Sequence, residues 1–301
     1  MTKKFISIVL FFFLSFAAFA QTDLLRQQIE QILISKKATV GVAVFGFEKG
    51  DTLSVNNQVH YPLQSVFKFH IALTVLDKVD RRELSLNQRI LIKKSDLLPN
   101  TWSPIRDDYP NGNVQLTLAK IIEYTIAQSD NNGCDILLRL IGGPETVNDY
   151  IHKIGVNDFS IKVNEEEMHK EWNVQFLNWT TPMSTIEVLR KFYTGNILSK
   201  ESYDFLWKTM VETKTGEKRI KGKLPAGTIV AHKTGTSDTN EEGITAAIND
   251  IGIITLPTGE HVAISVLVSN SKENQEVNEE IIADVSKAVW DWFLNGKAIL
   301  K

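Results

Sequence analysis

Residues 39–47 read Thr-Val-Gly-Val-Ala-Val-Phe-Gly-Phe, an apolar stretch rich in β-branched and aromatic residues. This composition predicts a β-strand, and the turn residues at 48–51 lead from it into a second, short strand at 53–55. Three further strands are predicted near the other end of the chain: 228–232, 245–256 and 262–269. Because neither set alone makes a good sheet, we expect one antiparallel sheet built from both ends of the chain.

The long segment between the two sets of strands has mostly helical patterns, and one more helix is predicted at each end of the chain. The predicted helices are 23–37, 66–79, 116–128, 135–141, 185–193, 202–211 and 276–294. We therefore expect an α+β protein in which the terminal helices cover one face of the antiparallel sheet. An α/β lobe (about 21–60 and 212–301) and an all-helical lobe (about 61–211) would enclose a site in the cleft between them.

The composition excludes several classes of protein. The 301 residues are 43% hydrophobic and 23% charged, close to soluble globular averages, which argues against collagen-like, coiled-coil and disordered chains. The single cysteine cannot form an internal disulfide. A net charge of −3 shows no basic excess, so we expect no nucleic-acid partner.

The first twenty residues have the pattern of a secretory signal peptide. Lys3 and Lys4 precede an apolar run from Phe5 to Phe19, which ends in small residues at the positions that a signal peptidase recognises. The apolar run is shorter than the roughly 20 residues that a membrane-spanning helix needs. We expect cleavage after Ala20, export of residues 21–301, and no membrane anchor in the mature chain.

Ser65-Val66-Phe67-Lys68 opens a predicted helix and places a hydroxyl and an amine on the same face. The positive field at a helix N-terminus favours a developing oxyanion, and a deprotonated amine nearby can accept the hydroxyl proton. This spacing is weak evidence alone, because it also occurs by chance. A second copy, Ser269 to Lys272, ends a predicted strand before a polar run and is interpreted as surface.

Two further motifs are equally weak when taken alone. Ser129-Asp130-Asn131 lies between two predicted helices, where a simple helix cap also explains it. Lys233-Thr234-Gly235 continues a predicted strand, where Gly235 would remove a side chain at a position that substrate must approach closely. A second copy of that triplet, Lys214-Thr215-Gly216, follows a helix and is interpreted as a turn.

The three motifs together, in this order and in these elements, form a known set of acyl-transfer residues. The chain resembles class A serine β-lactamases over essentially all of residues 21–301. The segments at 63–70, 100–102 and 224–228 are most similar to the PER/VEB-type extended-spectrum branch. The resemblance implies the serine β-lactamase/DD-peptidase-like fold, no cofactor, a monomer, and a periplasmic location after export.

The resemblance also implies roles for individual residues. Ser65 would open the β-lactam ring, with Lys68 beside it, while Ser129 and Lys233 would assist proton transfer to the departing nitrogen. The backbone N–H groups of Ser65 and Thr236 would form an oxyanion hole. The substrate-binding residues would be Asn131, His169, Thr234, Gly235 and Ser237, with Trp102 as an aromatic wall and Arg219 as a second cation.

A β-lactamase must also hydrolyse its acyl-enzyme, for which class A enzymes use a glutamate acting through a water molecule. The motif match assigns this role to Glu165, and either Lys68 or Glu165 could be the acylation base. The sequence departs from the common family pattern at Val163, His169 and Asn178, where an Arg, a water-holding Asn and an Asp are common. The loop must therefore be held without an Arg–Asp ion pair, and we expect a wider cleft that admits oxyimino-cephalosporins.

Two other chemistries are not indicated. Cys134 has no activating motif and is interpreted as a core thiol. The six histidines lack a metal-ligand spacing such as His-Glu-x-x-His, so no metal site is assigned.

Two alternative functions remain open for a chain with these motifs. A penicillin-binding D-Ala-D-Ala peptidase shares the fold and the three motifs but stays acylated, because it lacks an efficient deacylating base. A β-lactam-sensing domain would require a signalling partner domain. The Glu165 segment favours the β-lactamase.

Overall fold

The computed structural model describes residues 22–195 and 197–295. Its centre is a five-stranded antiparallel sheet with the strand order β2-β1-β10-β9-β8. The strands of this sheet are β1 (Thr39–Gly46), β2 (Thr52–Val55), β8 (Val230–Thr236), β9 (Thr245–Thr255) and β10 (His261–Ser271). The first two strands thus pair directly with the last three, which confirms the sheet predicted from both ends of the chain.

The other strands are short and form two small sheets. β3 (Tyr61–Pro62), β7 (Trp179–Thr180) and β6 (Phe159–Ser160) form one, and β4 (Arg89–Ile92) pairs with β5 (Val114–Thr117) in the other. None of these five strands was predicted, because two to four residues are too few for an alternating pattern to register.

Helices cover both faces of the main sheet. The helices are α1 (22–33), α2 (Phe67–Asp80), α3 (Pro104–Asp108), α4 (Leu118–Ala127), α5 (Asn131–Ile141), α6 (Pro144–Lys153), α7 (Glu165–Met168), α8 (Pro182–Tyr193), α9 (Lys200–Val211) and α10 (Gln275–Asn295). Side chains of α1 and α10, among them Ile29, Val285 and Val289, pack with one face of the sheet. The remaining helices lie on the other side, so the α+β architecture is confirmed; the lobe boundaries near 61 and 212 stay a prediction.

Helix α2 forms the centre of the helical part, and all its residues from Phe67 to Leu76 are buried. Helix α5 is buried along most of its length, as its nearly all-round apolar sequence predicts. It ends at Gly142, whose φ of 101° lies in the left-handed region that favours glycine. Helices α2 and α5 therefore give the cleft a rigid wall.

Several helix bounds differ from the sequence-based expectation; α5 begins at Asn131 instead of 135, and α8 begins at Pro182 instead of 185. Residues Leu116 and Thr117 belong to β5, and the helix begins at Leu118 because the Thr117 hydroxyl caps it by accepting from Lys120 N. The first helix ends at residue 33 instead of 37, where the chain turns. Among the described residues no helix is both long and apolar enough to cross a bilayer. The expected signal peptide and its cleavage site lie outside the described residues.

His70 is fully buried in α2 between two aromatic rings, with its ring centroid 4.7 Å from that of Phe159 and 5.6 Å from that of Phe69. Burial lowers the pKa of His70 to about 3. The unfolded chain therefore binds a proton near pH 6.5, whereas the folded protein binds it only near pH 3. His70 thus makes the protein less stable as the pH falls between these two values.

We expect the variant His70→Leu to remove this part of the acid sensitivity. Each pH unit below 6.5 costs about 1.4 kcal/mol through this residue, so the unfolding free energy of wild type should fall by about 2 kcal/mol more than that of the variant between pH 7 and pH 5. Urea unfolding at both pH values measures this. The variant His152→Gln, which replaces an exposed histidine, is the control; parallel pH curves for wild type and His70→Leu would contradict the prediction.

Candidate active site

Ser65 lies in a single 3₁₀ turn, Gln64–Val66, that leads directly into α2. The residue before it, Gln64, has a φ of 47°, an uncommon conformation for a residue with a side chain. The side chain of Gln64 is buried and donates to Gln175 Oε1 at 2.6 Å. This strained turn sets the serine at the positive end of α2, as the sequence predicts.

Lys68 is fully buried one helical turn after Ser65, and its ammonium group contacts four oxygen atoms. Lys68 Nζ lies 2.8 Å from Ser65 Oγ and 2.7 Å from Glu165 Oε1. It also lies 2.9 Å from the backbone oxygen of Ser129 and 2.5 Å from Asn131 Oδ1. The lysine therefore joins the serine, the glutamate and the loop before α5 in one cluster.

Glu165 begins the four-residue helix α7, and its side chain is almost completely buried, with 5% exposure. Its Oε1 atom lies 3.5 Å from Ser65 Oγ. The Asp135 carboxylate holds the start of this helix by accepting from the backbone N–H groups of Glu165 (2.8 Å) and Glu166 (3.0 Å). Burial raises the pKa of Asp135 to about 6, against the effect of the hydrogen bond from Glu165 N.

A neutral amide joins the two sides of the loop that carries Glu165. The buried side chain of Asn178 donates to Val163 O (2.8 Å) and accepts from Lys162 N (2.8 Å) and Val163 N (3.1 Å). The backbone oxygen of Asn178 accepts from Leu63 N, close to the serine turn. These hydrogen bonds supply the bracing that an Arg–Asp ion pair cannot provide in this sequence.

Ser129 projects from the loop between α4 and α5 and has a φ of 60°. Its Oγ atom accepts from Lys233 Nζ at 2.9 Å, and this lysine also donates to the backbone oxygen of Thr234. Lys233 is fully buried, and burial together with the positive charge of Lys68 lowers its pKa well below the usual value. Asp130 is buried and caps α5 by accepting from Gly133 N. The sequence interpretation of this motif as a helix cap is therefore correct, and it coexists with the contact to Lys233.

A cavity of about 540 Å³ opens beside Ser65. It is lined by Ser65, Asn100, Thr101, Trp102, Ser129, Asn131, His169, Thr215, Arg219, Thr234, Thr236, Ser237 and Asp238. All but four of the residues assigned to the site from the sequence line this cavity. Each of the other four contacts a residue that does: Lys68 and Glu165 contact Ser65, Lys233 contacts Ser129, and Gly235 contacts Arg219.

Gly235 does not line the cavity, and its neighbours show a packing reason for glycine at this position. A Cβ atom added there would lie 2.7 Å from Leu63 O and 3.2 Å from Val66 N. The missing side chain therefore lets β8 pack closely against the turn that carries Ser65, and this close packing requires glycine; that substrate also lies close to Gly235 stays a prediction.

Three predicted binding residues lie around the cavity as expected. Asn131 donates from Nδ2 to Thr101 Oγ1 at 2.6 Å. Trp102 is 60% exposed and is fixed by a hydrogen bond from its Nε1 to Gln128 O. His169 Nδ1 lies 2.7 Å from Glu165 O; because a carbonyl only accepts, this ring nitrogen carries the hydrogen.

The far end of the cavity combines hydroxyl groups with a buried guanidinium. Arg219 donates from Nη2 to Thr236 Oγ1 (2.7 Å) and from Nη1 to Gly235 O (3.0 Å). Thr215 Oγ1 and Thr234 Oγ1 lie 2.6 Å apart. Two hydroxyls in one hydrogen bond leave one O–H free, so this end of the cavity can donate to an anion.

Sequence reasoning missed Thr215 and Asp135. Thr215 belongs to the second Lys-Thr-Gly triplet, which was interpreted as a turn; the chain bends at Thr215, and the Thr215 hydroxyl contacts that of Thr234. Asp135 lies one turn after Asn131 on α5, and this four-residue spacing on one helical face was an available signal. The hydrogen bonds that Asp135 accepts depend on the position of α7, which cannot be predicted from the sequence.

Two smaller cavities adjoin the main one and share His169 with it. One, of about 290 Å³, lies between the 98–101 segment and α7, and Glu165, Asp135 and Lys170 contribute to its lining. The other, of about 220 Å³, lies between residues 168–172 and the end of β8. Space is thus present on both sides of the loop that carries Glu165.

The remaining titratable groups near the site are not arranged for metal binding or thiol chemistry. Within 22–195 and 197–295 no group of three His, Cys, Asp or Glu side chains is placed to hold a metal ion. Cys134 is buried, and burial raises the pKa of its thiol well above the usual value. A raised pKa disfavours the nucleophilic thiolate.

Comparison with known proteins gives a consistent result. Residues 24–293 match the model of the "Beta-lactamase enzyme family". The chain is 52% identical to β-lactamase VEB-1 and 45% identical to the extended-spectrum β-lactamase PER-1, both from Pseudomonas aeruginosa. These alignments cover 92% of this chain and 92% of VEB-1, and 94% of this chain and 91% of PER-1.

Among solved structures, that of the TLA-1 extended-spectrum β-lactamase superimposes with a TM-score of 0.89 at 59% sequence identity, covering 91% of this chain and 99% of that one. The family match spans nearly the whole chain, and the relatives are covered over nearly their full length. On this evidence the chain belongs to the class A β-lactamases, a family of β-lactam hydrolases.

Proposed function

We propose that this β-lactamase hydrolyses penicillins and cephalosporins through an acyl-enzyme on Ser65, which a water molecule activated by Glu165 then hydrolyses. The observation that carries the proposal is the position of Lys68 Nζ, 2.8 Å from Ser65 Oγ and 2.7 Å from Glu165 Oε1. One buried pair of opposite charge thus contacts the nucleophile directly and can exchange protons with it.

In the acylation step, Ser65 Oγ attacks the β-lactam carbonyl carbon while its proton passes to the Lys68–Glu165 pair. The C–N bond of the ring then breaks, and the departing nitrogen receives a proton from Ser129, whose oxygen is hydrogen-bonded to Lys233. The proton that the Lys68–Glu165 pair took from Ser65 replaces the one lost by Ser129, so Glu165 is ionised again before the second step. The lowered pKa of Lys233 makes its proton easier to release toward Ser129. The backbone N–H groups of Ser65 and Thr236 stabilise the oxyanion, a contribution worth about 3 kcal/mol per donor in comparable hydrolases.

In the deacylation step, Glu165 removes a proton from water as the water attacks the ester carbonyl carbon. The bond from that carbon to Ser65 Oγ then breaks, and the Lys68–Glu165 pair returns the proton to Ser65 Oγ, which regenerates the free enzyme. The amide hydrogen bonds from Glu165 and Glu166 to Asp135 fix the helix that carries this carboxylate. His169, hydrogen-bonded to Glu165 O, borders the space where water would bind.

Substrate recognition uses the polar lining of the main cavity. We assign the acyl side chain of the substrate to Asn131 and to the aromatic face of Trp102. The substrate carboxylate would meet the free O–H of the Thr215–Thr234 pair, the Ser237 hydroxyl, and the Thr236 hydroxyl that Arg219 polarises. Arg219 thereby supplies the second positive charge near the carboxylate.

The proposed substrate range includes oxyimino-cephalosporins. The cavities on both sides of the Glu165 loop provide room for a bulky acyl side chain. The names of PER-1 and TLA-1 describe those relatives as extended-spectrum enzymes. We also propose that residues 1–20 direct export, that the enzyme acts as a periplasmic monomer, and that its lobes divide near 61 and 212.

The variant Glu165→Gln tests the two-step mechanism. We expect nitrocefin turnover to fall by about 10²–10⁴-fold, because a general base is lost while acylation by Ser65 persists. Intact-mass spectrometry after benzylpenicillin should then show a stable adduct that maps to Ser65. The double variant Ser65→Ala/Glu165→Gln is the control and should show no adduct.

A wild-type protein that itself remains acylated by benzylpenicillin would make the chain a penicillin-binding peptidase or a sensor. A Glu165→Gln variant that turns over as fast as wild type would remove Glu165 from the mechanism.

The variant Thr215→Val tests the proposed carboxylate site. Removing a hydroxyl of the Thr215–Thr234 pair should raise KM about fivefold with kcat nearly unchanged, because one hydrogen bond contributes about 1 kcal/mol. A cephalosporin methyl ester, which lacks the carboxylate charge, should lose this sensitivity. The matched control is Thr213→Val, since Thr213 donates to His232 O outside the cavity. Equal KM values for wild type and Thr215→Val would contradict the assignment.

The proposed width of the cleft predicts the substrate preference. We expect kcat/KM for an oxyimino-cephalosporin to lie within about tenfold of the value for a cephalosporin with a small side chain. In a wide cleft the bulky side chain makes no steric clash, and only such clashes would make the two kcat/KM values differ strongly. Steady-state kinetics on the wild-type enzyme measures the ratio. A preference of a thousandfold for the small side chain would show that the loop closes the cleft.

A further inference from the structure

Asn249 belongs to none of the three motifs and does not line the main cavity. It lies in β9 and is fully buried, and in the sheet register it stands opposite Gly235 of β8. Its side-chain Nδ2 donates to two successive backbone oxygens, those of Pro62 (2.8 Å) and Leu63 (3.2 Å). One amide group therefore ties the main sheet to the segment that enters the Ser65 turn.

The two carbonyl groups held by Asn249 come immediately before the strained residue Gln64. Leu63 O also accepts from Val66 N at 3.2 Å, which closes the turn around Ser65. The same oxygen lies so close to Gly235 that an added Cβ would be 2.7 Å from it. The turn and β8 therefore touch at Gly235, and Asn249 holds them there from the neighbouring strand.

Each of these two segments carries one of the proposed oxyanion donors. Ser65 N belongs to the turn, and Thr236 N follows Gly235 in β8. The backbone oxygen of Asn249 also accepts from Arg219 Nη1, which donates to Gly235 O as well. Asn249 is thus linked through its side chain to one donor segment and through its backbone to the other.

We propose that Asn249 is a positioning residue for the oxyanion hole, setting the separation and angle of the Ser65 and Thr236 N–H groups without touching substrate. This inference rests on the proposed acyl-enzyme mechanism. It is supported by the side-chain oxygen of Asn249, which is buried and has no hydrogen-bond partner among the described residues. An unpaired buried oxygen lowers the stability of the folded protein, and an apolar side chain of similar size would avoid this cost. The two donated hydrogen bonds therefore explain an amide at this position better than packing does.

The test uses Asn249→Leu, which keeps the approximate side-chain volume and removes both donated hydrogen bonds. The pre-steady-state acylation rate with nitrocefin should fall by about ten- to a hundredfold, because misplaced donors stabilise the oxyanion less. In the Glu165→Gln background, the benzylpenicillin acyl-enzyme should show an ester carbonyl infrared band shifted to higher wavenumber, the signature of weaker hydrogen bonding to that oxygen.

Asn278→Leu is the matched control. Asn278 is also fully buried, and it makes two side-chain hydrogen bonds, with Ser271 Oγ and Glu273 O, on the α10 side of the sheet. This variant should lose thermal stability but keep both the acylation rate and the carbonyl band. If Asn249→Leu does not fold, Asn249→Ser, whose shorter side chain cannot make both hydrogen bonds, is measured in the same way.

An unshifted carbonyl band together with an unchanged acylation rate in a folded Asn249 variant would overturn the proposal. A lower melting temperature with an unshifted band would assign Asn249 a purely structural role and would overturn it as well. Failure of the proposed mechanism gives a different result, because the Glu165→Gln enzyme with Asn249 intact would then form no adduct on Ser65 and show no carbonyl band.

Discussion

The buried contact between the Lys68 ammonium and the Glu165 carboxylate is the interaction on which the rest of the site depends. The two side chains are 0% and 5% exposed, and their charged atoms are 2.7 Å apart. A buried charge without its partner costs about 3–5 kcal/mol, so each of these residues requires the other in place. Because Lys68 lies in α2 and Glu165 in α7, this requirement brings two distant parts of the chain together around Ser65.

Hydrogen bonds that involve a carboxylate and a neutral amide hold the loop that carries Glu165 in this position. Asp135 on α5 holds the first turn of α7, and Asn178 joins the two sides of the loop that contains it. On the other side of the cleft, Lys233 reaches Ser129 from β8. The cleft therefore has a charged and buried floor, in which electrostatic interactions are stronger than in bulk water.

The sequence predicts the residues of this site better than it predicts how they are held. Ser65, Lys68 and Lys233 were identified because their motifs are local and each fits one helix or strand. Asp135 and Thr215 were missed because their contacts, with α7 and with Thr234, join segments that are distant in the sequence. The main sheet was predictable from long apolar strands, whereas the two-residue strands exist only through tertiary pairing.

Rapid-quench peptide mapping of the wild-type enzyme during its reaction with benzylpenicillin can show whether Ser65, with the Lys68–Glu165 pair beside it, both forms and loses the acyl group. We expect an adduct on the peptide that contains Ser65 within the first turnover, and its disappearance as substrate is exhausted. Turnover with no adduct on that peptide at any quench time would contradict this mechanism.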